Sequence, residues 1–338
     1  KITKFQTIFQ SVNKMVESQN KNVRKHSEFR ILFAYPNIQQ CAMMPYAIGL
    51  FTSLLKQDGF EVGLFDSTFY IDQNKNYENF QNSLRSFSWS ERNVLFKKTS
   101  MLDDWVKKVE DFQPDLIAVS VVESTYGLGR KMIEVLPEGQ SKIPVLWGGV
   151  FSTFAAEKIL RDGEGEYACR GEGEYPLIDF CRRACAGESL DNIPNIWTRQ
   201  NGKIIKNSMR PVMVNLEELP FPDYSLFDEQ AIYRPMQGKI WRTVGLETQR
   251  GCPYTCTYCN SPSQNILAKT EQNSHFYRKK SLERIRREIE DVHKKHNVEL
   301  IYMLTDTFLA LTKKEFDGLV EMYSDFRIPF WMNTRAET

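Results

Sequence analysis

Thr243-Val244-Gly245-Leu246-Glu247-Thr248-Gln249-Arg250-Gly251-Cys252-Pro253-Tyr254-Thr255-Cys256-Thr257-Tyr258-Cys259-Asn260 decides how the rest of the chain is read. Thr243 to Thr248 has the composition of a strand and runs straight into a loop whose cysteines, Cys252, Cys256 and Cys259, are spaced C-x3-C-x2-C. Thiolates so close in sequence can wrap a single inorganic centre. Structural zinc sites generally draw four protein ligands from two separated pairs, and no second cysteine pair follows this loop. His275 is the nearest residue that could supply a fourth ligand. A [4Fe–4S] cluster on three cysteines instead leaves one iron open, where a small molecule can coordinate.

Downstream a βα series continues. Ser281 to His296 reads as a helix with Leu282, Ile285, Ile289 and Val292 on one face, followed by a strand at Leu300 to Leu304. Thr312-Lys313-Lys314-Glu315 has capping-box spacing and opens a helix to about Phe326, and Phe330 to Asn333 is a third strand. Three strands cannot close a barrel, so a TIM-type βα barrel would continue beyond Thr338; the start at Lys1 rather than Met also fits a fragment. Barrel sites collect at the carboxyl ends of the strands. Asp306, within Thr305-Asp306-Thr307, stands at such an end and either faces the site or caps a helix; Arg335 has the same placing after the third strand.

Upstream, from Phe29, apolar runs alternate with helix-like segments, as buried parallel strands with crossover helices do. The runs are Arg30 to Tyr35, Glu61 to Phe65, Leu116 to Val122 and Val145 to Trp147; the helices are Tyr46 to Gln57, Met101 to Phe112, Gly129 to Leu136 and Ala155 to Arg161. This predicts a doubly wound α/β domain of flavodoxin or Rossmann type. Ligands in such sheets bind at the carboxyl edge, where Asp66-Ser67-Thr68, Ser120 and the pair Gly148-Gly149 fall. The glycines either admit a bulky ligand or simply turn the chain. Residues 1–28, with a weak helical pattern, form an appendage; 29–189 the α/β domain, closed by a helix at Tyr175 to Ala186; 190–240 a linker; and 241–338 the domain of the cysteine loop. Tyr70 to Ser100 is an insertion, and the linker, dense in proline, holds a small hairpin turning at Asn201-Gly202.

At 338 residues, with 41% hydrophobic and 26% charged residues, the chain has the make-up of a globular protein of about two domains. A balance of 44 basic against 43 acidic side chains provides no global field for nucleic acid or an anionic membrane. No apolar run reaches the ~18–20 residues of a membrane span and no secretory h-region is visible, which predicts a soluble, cytoplasmic protein. Its seven cysteines then read as thiols or ligands, not as a disulfide framework. Cys181 and Cys185 fit a helix face packed on the sheet, Cys41 and Cys169 lack partners at ligand spacing, and His293 and His296 suit a helix C-terminus.

Gly251 to Asn260 closely resembles the cluster loop of the radical S-adenosylmethionine (SAM) enzymes, with Tyr258 as the aromatic of the pattern C-x3-C-x-aromatic-C. The resemblance implies that Cys252, Cys256 and Cys259 bind [4Fe–4S], that the amino and carboxylate groups of SAM chelate the open iron, and that Tyr258 packs near the adenine. Trp147 to Thr153, Arg170-Gly171-Glu172-Gly173-Glu174 and Leu216 to Asp223 are similar to signatures of the subgroup with an N-terminal cobalamin-binding domain. A second Gly-Glu-Gly-Glu, Gly163 to Glu166, matches nothing in the subgroup, and the Gly171 to Glu174 copy is expected to form a turn at the domain junction. Members that ligate cobalt through histidine carry D-x-H-x-x-G; here Thr68 holds the histidine place, so cobalamin would bind without a protein imidazole or not at all.

The resemblance therefore implies reductive SAM cleavage and methyl transfer from cobalamin to an unactivated carbon or phosphorus of a small-molecule substrate, with an electron donor such as flavodoxin or ferredoxin. Cyclisation or oxidation within the same subgroup, RNA methylthiotransfer, and cofactor sensing without turnover are the alternatives. The second of these expects three further cluster cysteines in the first domain, and Cys41, Cys169, Cys181 and Cys185 do not form that pattern.

Overall fold

The computed structural model describes residues 24–37, 44–71, 86–163 and 165–337. The helical pattern before residue 24, Cys41, residues 72–85 of the expected insertion and Glu164 of the first Gly-Glu-Gly-Glu lie outside the described residues.

Burial on both faces is what makes the apolar runs strands: in β1 (Arg30–Tyr35), Ile31 and Phe33 join one core cluster while Leu32 and Ala34 join another. With β2 (Glu61–Asp66), β3 (Leu116–Ser120), β4 (Val145–Gly148) and β5 (Tyr167–Cys169) it forms a parallel sheet in the order β2-β1-β3-β4-β5. Helices α1 (Tyr46–Gln57) and α5 (Glu174–Ala186) bury Ile48, Leu55, Phe180 and Cys181 in the first cluster. Helices α2 (Met101–Phe112), α3 (Glu123–Glu134) and α4 (Val150–Asp162) bury Trp105, Met132 and Ile159 in the second. The domain is thus doubly wound, with helices on both faces.

Two helices start earlier than the hydrophobic pattern indicates. α3 begins at Glu123, not Gly129, where the Thr125 hydroxyl accepts the N–H of the preceding residue Val122 at 3.2 Å. α4 begins at Val150, not Ala155; Ala155 is a kink (φ −121°, ψ 24°), so the periodicity registers only beyond it.

The proline-dense stretch 190–240 is shared between two sheets. β6 (Ile196–Gln200) and β7 (Lys203–Ile205) form a hairpin that extends the first sheet antiparallel, turning at Asn201 and Gly202 with φ 49° and 76°. Leu216 to Tyr224 is a strap between α1 and the second half. Tyr224 packs so closely on α1 that a Cβ at Gly49 would lie 2.7 Å from its ring. Lys56 of α1 holds Asp223 at 2.9 Å, and Arg284 lies 4.4 Å over the Phe221 ring while donating to the carbonyls of Glu217 and Pro220.

The second sheet runs, from edge to edge, through Phe330–Met332, Leu300–Met303, Lys239–Leu246 and Tyr233–Met236. β9 (Lys239–Leu246), β12 (Leu300–Met303) and β13 (Phe330–Met332) are parallel, and β8 (Tyr233–Met236), not foreseen from the sequence, pairs antiparallel with β9. Helix α7 (Leu282–His296) starts at Ser281, whose hydroxyl accepts the Arg284 N–H, and ends at Asn297 in the left-handed region. Its Ile285, Ile289 and Val292 pack with Val244, Leu246, Ile301 and Met303, each side chain contributing about 1.5–3 kcal/mol. Helix α8 (Lys313–Tyr323) starts with the Thr312/Glu315 capping box. Between β9 and α7 lie the short ladder of β10 (Gln249–Arg250) with β11 (Arg278–Lys279), and α6 (Ser261–Glu271), also unforeseen.

Candidate active site

A cavity of about 440 Å³ lies between the carboxyl edge of the first sheet and the start of the cysteine loop. Ser120, Gly148 and Gly149 line it from one side, and Gly251, Gln264 and Asp306 from the other. The two glycines act differently. Gly149 has φ 92°, and a Cβ there would lie 2.4 Å from the Val121 carbonyl oxygen, so its conformation and packing both exclude a side chain. At Gly148 a Cβ would meet nothing nearer than 3.9 Å, which leaves open room on the cavity wall.

Asp66-Ser67-Thr68 does not border this cavity, although it follows a strand of the same sheet. β2 is the outermost strand, so its end lies to one side. Thr68 is buried; its amide and hydroxyl both donate to the Asp66 carboxylate, and its oxygen accepts from Asn37 Nδ2 at 2.9 Å. Burial pushes the Asp66 carboxyl up to about 6, against the hydrogen bonds from Thr68.

In the loop, Cys252 is buried, Cys256 half-buried and Cys259 exposed, and none is in a disulfide. Burial raises the Cys252 thiol above its ordinary value. The chain folds back between the last two, with the Cys259 N–H on the Cys256 carbonyl at 3.2 Å. Among the described residues no three His, Cys, Asp or Glu side chains are gathered into a metal-holding group, and His275 is exposed. The donor chemistry still fits an iron–sulfur cluster: three free thiols on one short loop. Tyr258 is 91% exposed.

Asp306 accepts a hydrogen bond from Ser261 Oγ at 2.6 Å, tying the end of β12 to the first residue of α6. The cap of the next helix is Thr312, so Asp306 is not that cap. On either side of it, Thr305 Oγ1 and Thr307 Oγ1 are buried without a partner. Neither hydroxyl borders the cavity. Arg335 reaches the same loop, its guanidinium 4.2 Å over the Tyr254 ring and its Nη1 3.7 Å from Cys256 Sγ.

The sequence pattern did not reveal the charge network beneath the cavity. Arg250 contacts Glu172 at 3.0 Å, Glu174 at 2.7 Å and Glu247 at 3.0 Å, and Arg278 contacts Glu172 at 2.7 Å. Fully buried Lys280 holds Glu288 at 2.9 Å and donates to the Tyr46 hydroxyl at 2.8 Å. Burial pushes Glu172 up, but the Arg278 and Arg250 guanidiniums outweigh it and leave the carboxyl below its usual range; burial wins at Glu174 and raises it. The Gly171 to Glu174 copy is therefore a contact between the two halves. Partners 78 and 106 positions apart leave no local signal.

Residues 44–180 match the family described as the B12 binding domain, and residues 246–336 match the Radical SAM superfamily. A methyltransferase of Pyrococcus horikoshii described as uncharacterized is 26% identical over 220 residues, 63% of this chain and 44% of that protein. A tryptophan 2-C-methyltransferase of Streptomyces laurentii is 28% identical over 159 residues, 47% of this chain and 23% of its own length. The chain thus spans less than half the length of these relatives. Among solved structures, the radical SAM methyltransferase TsrM from Kitasatospora setae, with tryptophan substrate and a SAM analog bound, aligns at TM-score 0.58 and 18% identity over 88% of this chain and 50% of that one. The cobalamin-dependent SAM radical enzyme OxsB, with aqua-cobalamin and SAM bound, aligns at TM-score 0.61 and 19% identity over 90% of this chain and 38% of its own.

Proposed function

We propose, for a chain that belongs to the radical SAM superfamily and joins a B12-binding domain to a radical SAM domain, that it takes part in cobalamin-dependent methyl transfer initiated by reductive cleavage of SAM. Cys252, Cys256 and Cys259 would hold a [4Fe–4S] cluster, SAM would lie beside Tyr258 and Asp306, and cobalamin would enter the cavity at Ser120, Gly148 and Gly149. Together these groups supply electron-driven scission of a sulfonium bond and a transferable methyl group. The observation that carries the reading is one cavity bordered both by the carboxyl edge of the first sheet and by the start of the cysteine loop.

The chain's own residues provide confinement and orientation. Gly148 leaves the wall open to a bulky group, and Gly149 lets α4 begin hard against the end of β3. The Ser261–Asp306 hydrogen bond fixes the far end of the cysteine loop to β12. The acceptor is a small molecule, its methylated atom a carbon or phosphorus, and the electron comes from a donor such as flavodoxin or ferredoxin.

The test is anaerobic reconstitution with iron and sulfide, followed by metal analysis and a search for 5′-deoxyadenosine after addition of SAM and a reductant. Wild-type protein should hold iron, and alanine at Cys252, Cys256 or Cys259 should each abolish it. Zinc in the purified protein, or iron retained by any of the three variants, refutes the reading.

A further inference from the structure

Arg250 belongs to the cavity and to the cysteine loop at once. It lines the cavity, its backbone forms β10, and Cys252 follows two positions later. The loop cannot start elsewhere without breaking the ladder that pairs Gln249 with Lys279 and Arg250 with Arg278. At Gly251, with φ 81°, a Cβ would fall 2.6 Å from the Phe276 ring and 2.9 Å from its carbonyl oxygen, so the chain is pressed directly onto the next segment. The Arg250 side chain, only 11% exposed, meanwhile grips Glu172 and Glu174, which also border the cavity at the start of α5. A guanidinium held by three carboxylates has a fixed orientation that a point charge would not have.

We propose that Arg250 is a positioning residue that couples occupancy of the cavity to the geometry of the cysteine loop, an inference that rests on the cofactor reading above. A large ligand settling against Glu172 and Glu174 displaces the carboxylates that hold the guanidinium, and the backbone two residues before Cys252 moves with it. Coupling of this kind is reciprocal: whatever factor the cavity ligand exerts on the loop, a filled loop exerts on the ligand's affinity.

Iron-loaded and iron-free preparations of the full chain are titrated anaerobically with hydroxocobalamin by visible absorption. The electron paramagnetic resonance spectrum of the reduced, iron-loaded protein is recorded with and without it. Wild-type affinities should differ by about tenfold between the two preparations, and the spectrum should change when hydroxocobalamin is added. Arg250→Met should keep iron, take up hydroxocobalamin with one and the same affinity in both preparations whatever its absolute value, and lose the spectral response, with Arg250→Lys restoring part of each. Should Arg250→Met not fold, Glu172→Gln, which leaves Arg250 its contacts with Glu174 and Glu247, should shrink the affinity ratio toward unity. Wild-type ratios and spectra in both Arg250→Met and Glu172→Gln, or equal affinities in the wild type, overturn the proposal. A wild type that binds neither iron nor hydroxocobalamin overturns the cofactor reading itself, before any variant is made.

Discussion

Alanine at each of the two adjacent glycines on the cavity lip should produce opposite defects. Gly149 has φ 92° and ψ −179°, a region open to glycine almost alone, which costs about 1–3 kcal/mol for any other residue. Its Cβ would stand 2.4 Å from the Val121 carbonyl oxygen and 3.0 Å from the Val121 nitrogen. That backbone has little room to retreat, since the Val121 N–H donates to Gly148 O at 3.1 Å and its carbonyl accepts from Phe151 N at 3.4 Å. Overpacking adds about 1–3 kcal/mol, so Gly149→Ala should lose about 2–6 kcal/mol. At Gly148 the nearest atom is 3.9 Å away, and replacing this glycine should alter stability by less than about 1 kcal/mol. Urea unfolding followed by circular dichroism measures the difference. With a slope of about 3 kcal/mol per molar for a chain of this size, Gly149→Ala should lower the midpoint by about 0.7–2 M while Gly148→Ala barely moves it. A hydroxocobalamin titration should show the reverse pattern for ligand affinity, Gly148→Ala losing about tenfold, or 1.4 kcal/mol. A wild-type midpoint for Gly149→Ala, or wild-type affinity for Gly148→Ala, refutes the reasoning.

Three further perturbations test other parts of the molecule. Asp66 titrates at about 6 when folded and at about 3.9 in an unfolded chain, so its contribution to stability is full below about pH 3.9 and is lost as pH rises through 6. Asp66→Asn should therefore flatten the fall in urea midpoint between about pH 4 and 6; an undiminished slope in the variant refutes the assignment. Lys280→Met leaves the buried Glu288 with Arg284 alone and should cost about 3–5 kcal/mol in urea unfolding, a loss below about 1 kcal/mol counting against the network. Tyr258→Ala, at an exposed position, should unfold within about 0.5 kcal/mol of wild type yet yield less 5′-deoxyadenosine from SAM; equal yields would remove it from the adenine site.

What could be read from the sequence was whatever burial or spacing writes locally. β1, β3 and β4 are visible because a strand covered on both faces is apolar without interruption, and α7 because Ser281 and the Ile285, Ile289, Val292 stripe mark its start and its buried side. The cysteine loop is legible from spacing alone. β5, Tyr-Ala-Cys, and β8, whose Tyr233, Arg234, Pro235 and Met236 are all only half-buried, carry no distinct apolar run, and α6 buries too little to show a face. The carboxyl-edge rule pointed to Asp66 and Thr68 as readily as to Gly148, because sequence does not reveal that β2 is outermost. Nor does it reveal that Glu172 meets Arg250, since each has a complete local role, one before a helix and one before a loop, and only the docking of the two halves pairs them.

The strap from Leu216 to Tyr224 has a consequence for recombination. Its contacts alternate between partners: Asp223 and Tyr224 on α1, Phe221 with the carbonyls of Glu217 and Pro220 on α7. A chimera that takes its first half from a relative, with any crossover inside the strap, would inherit one side of this interlock without the other. Breeding hybrids from this chain therefore requires that Gly49, Lys56, the strap and Arg284 travel as one block, although 235 positions separate the first from the last.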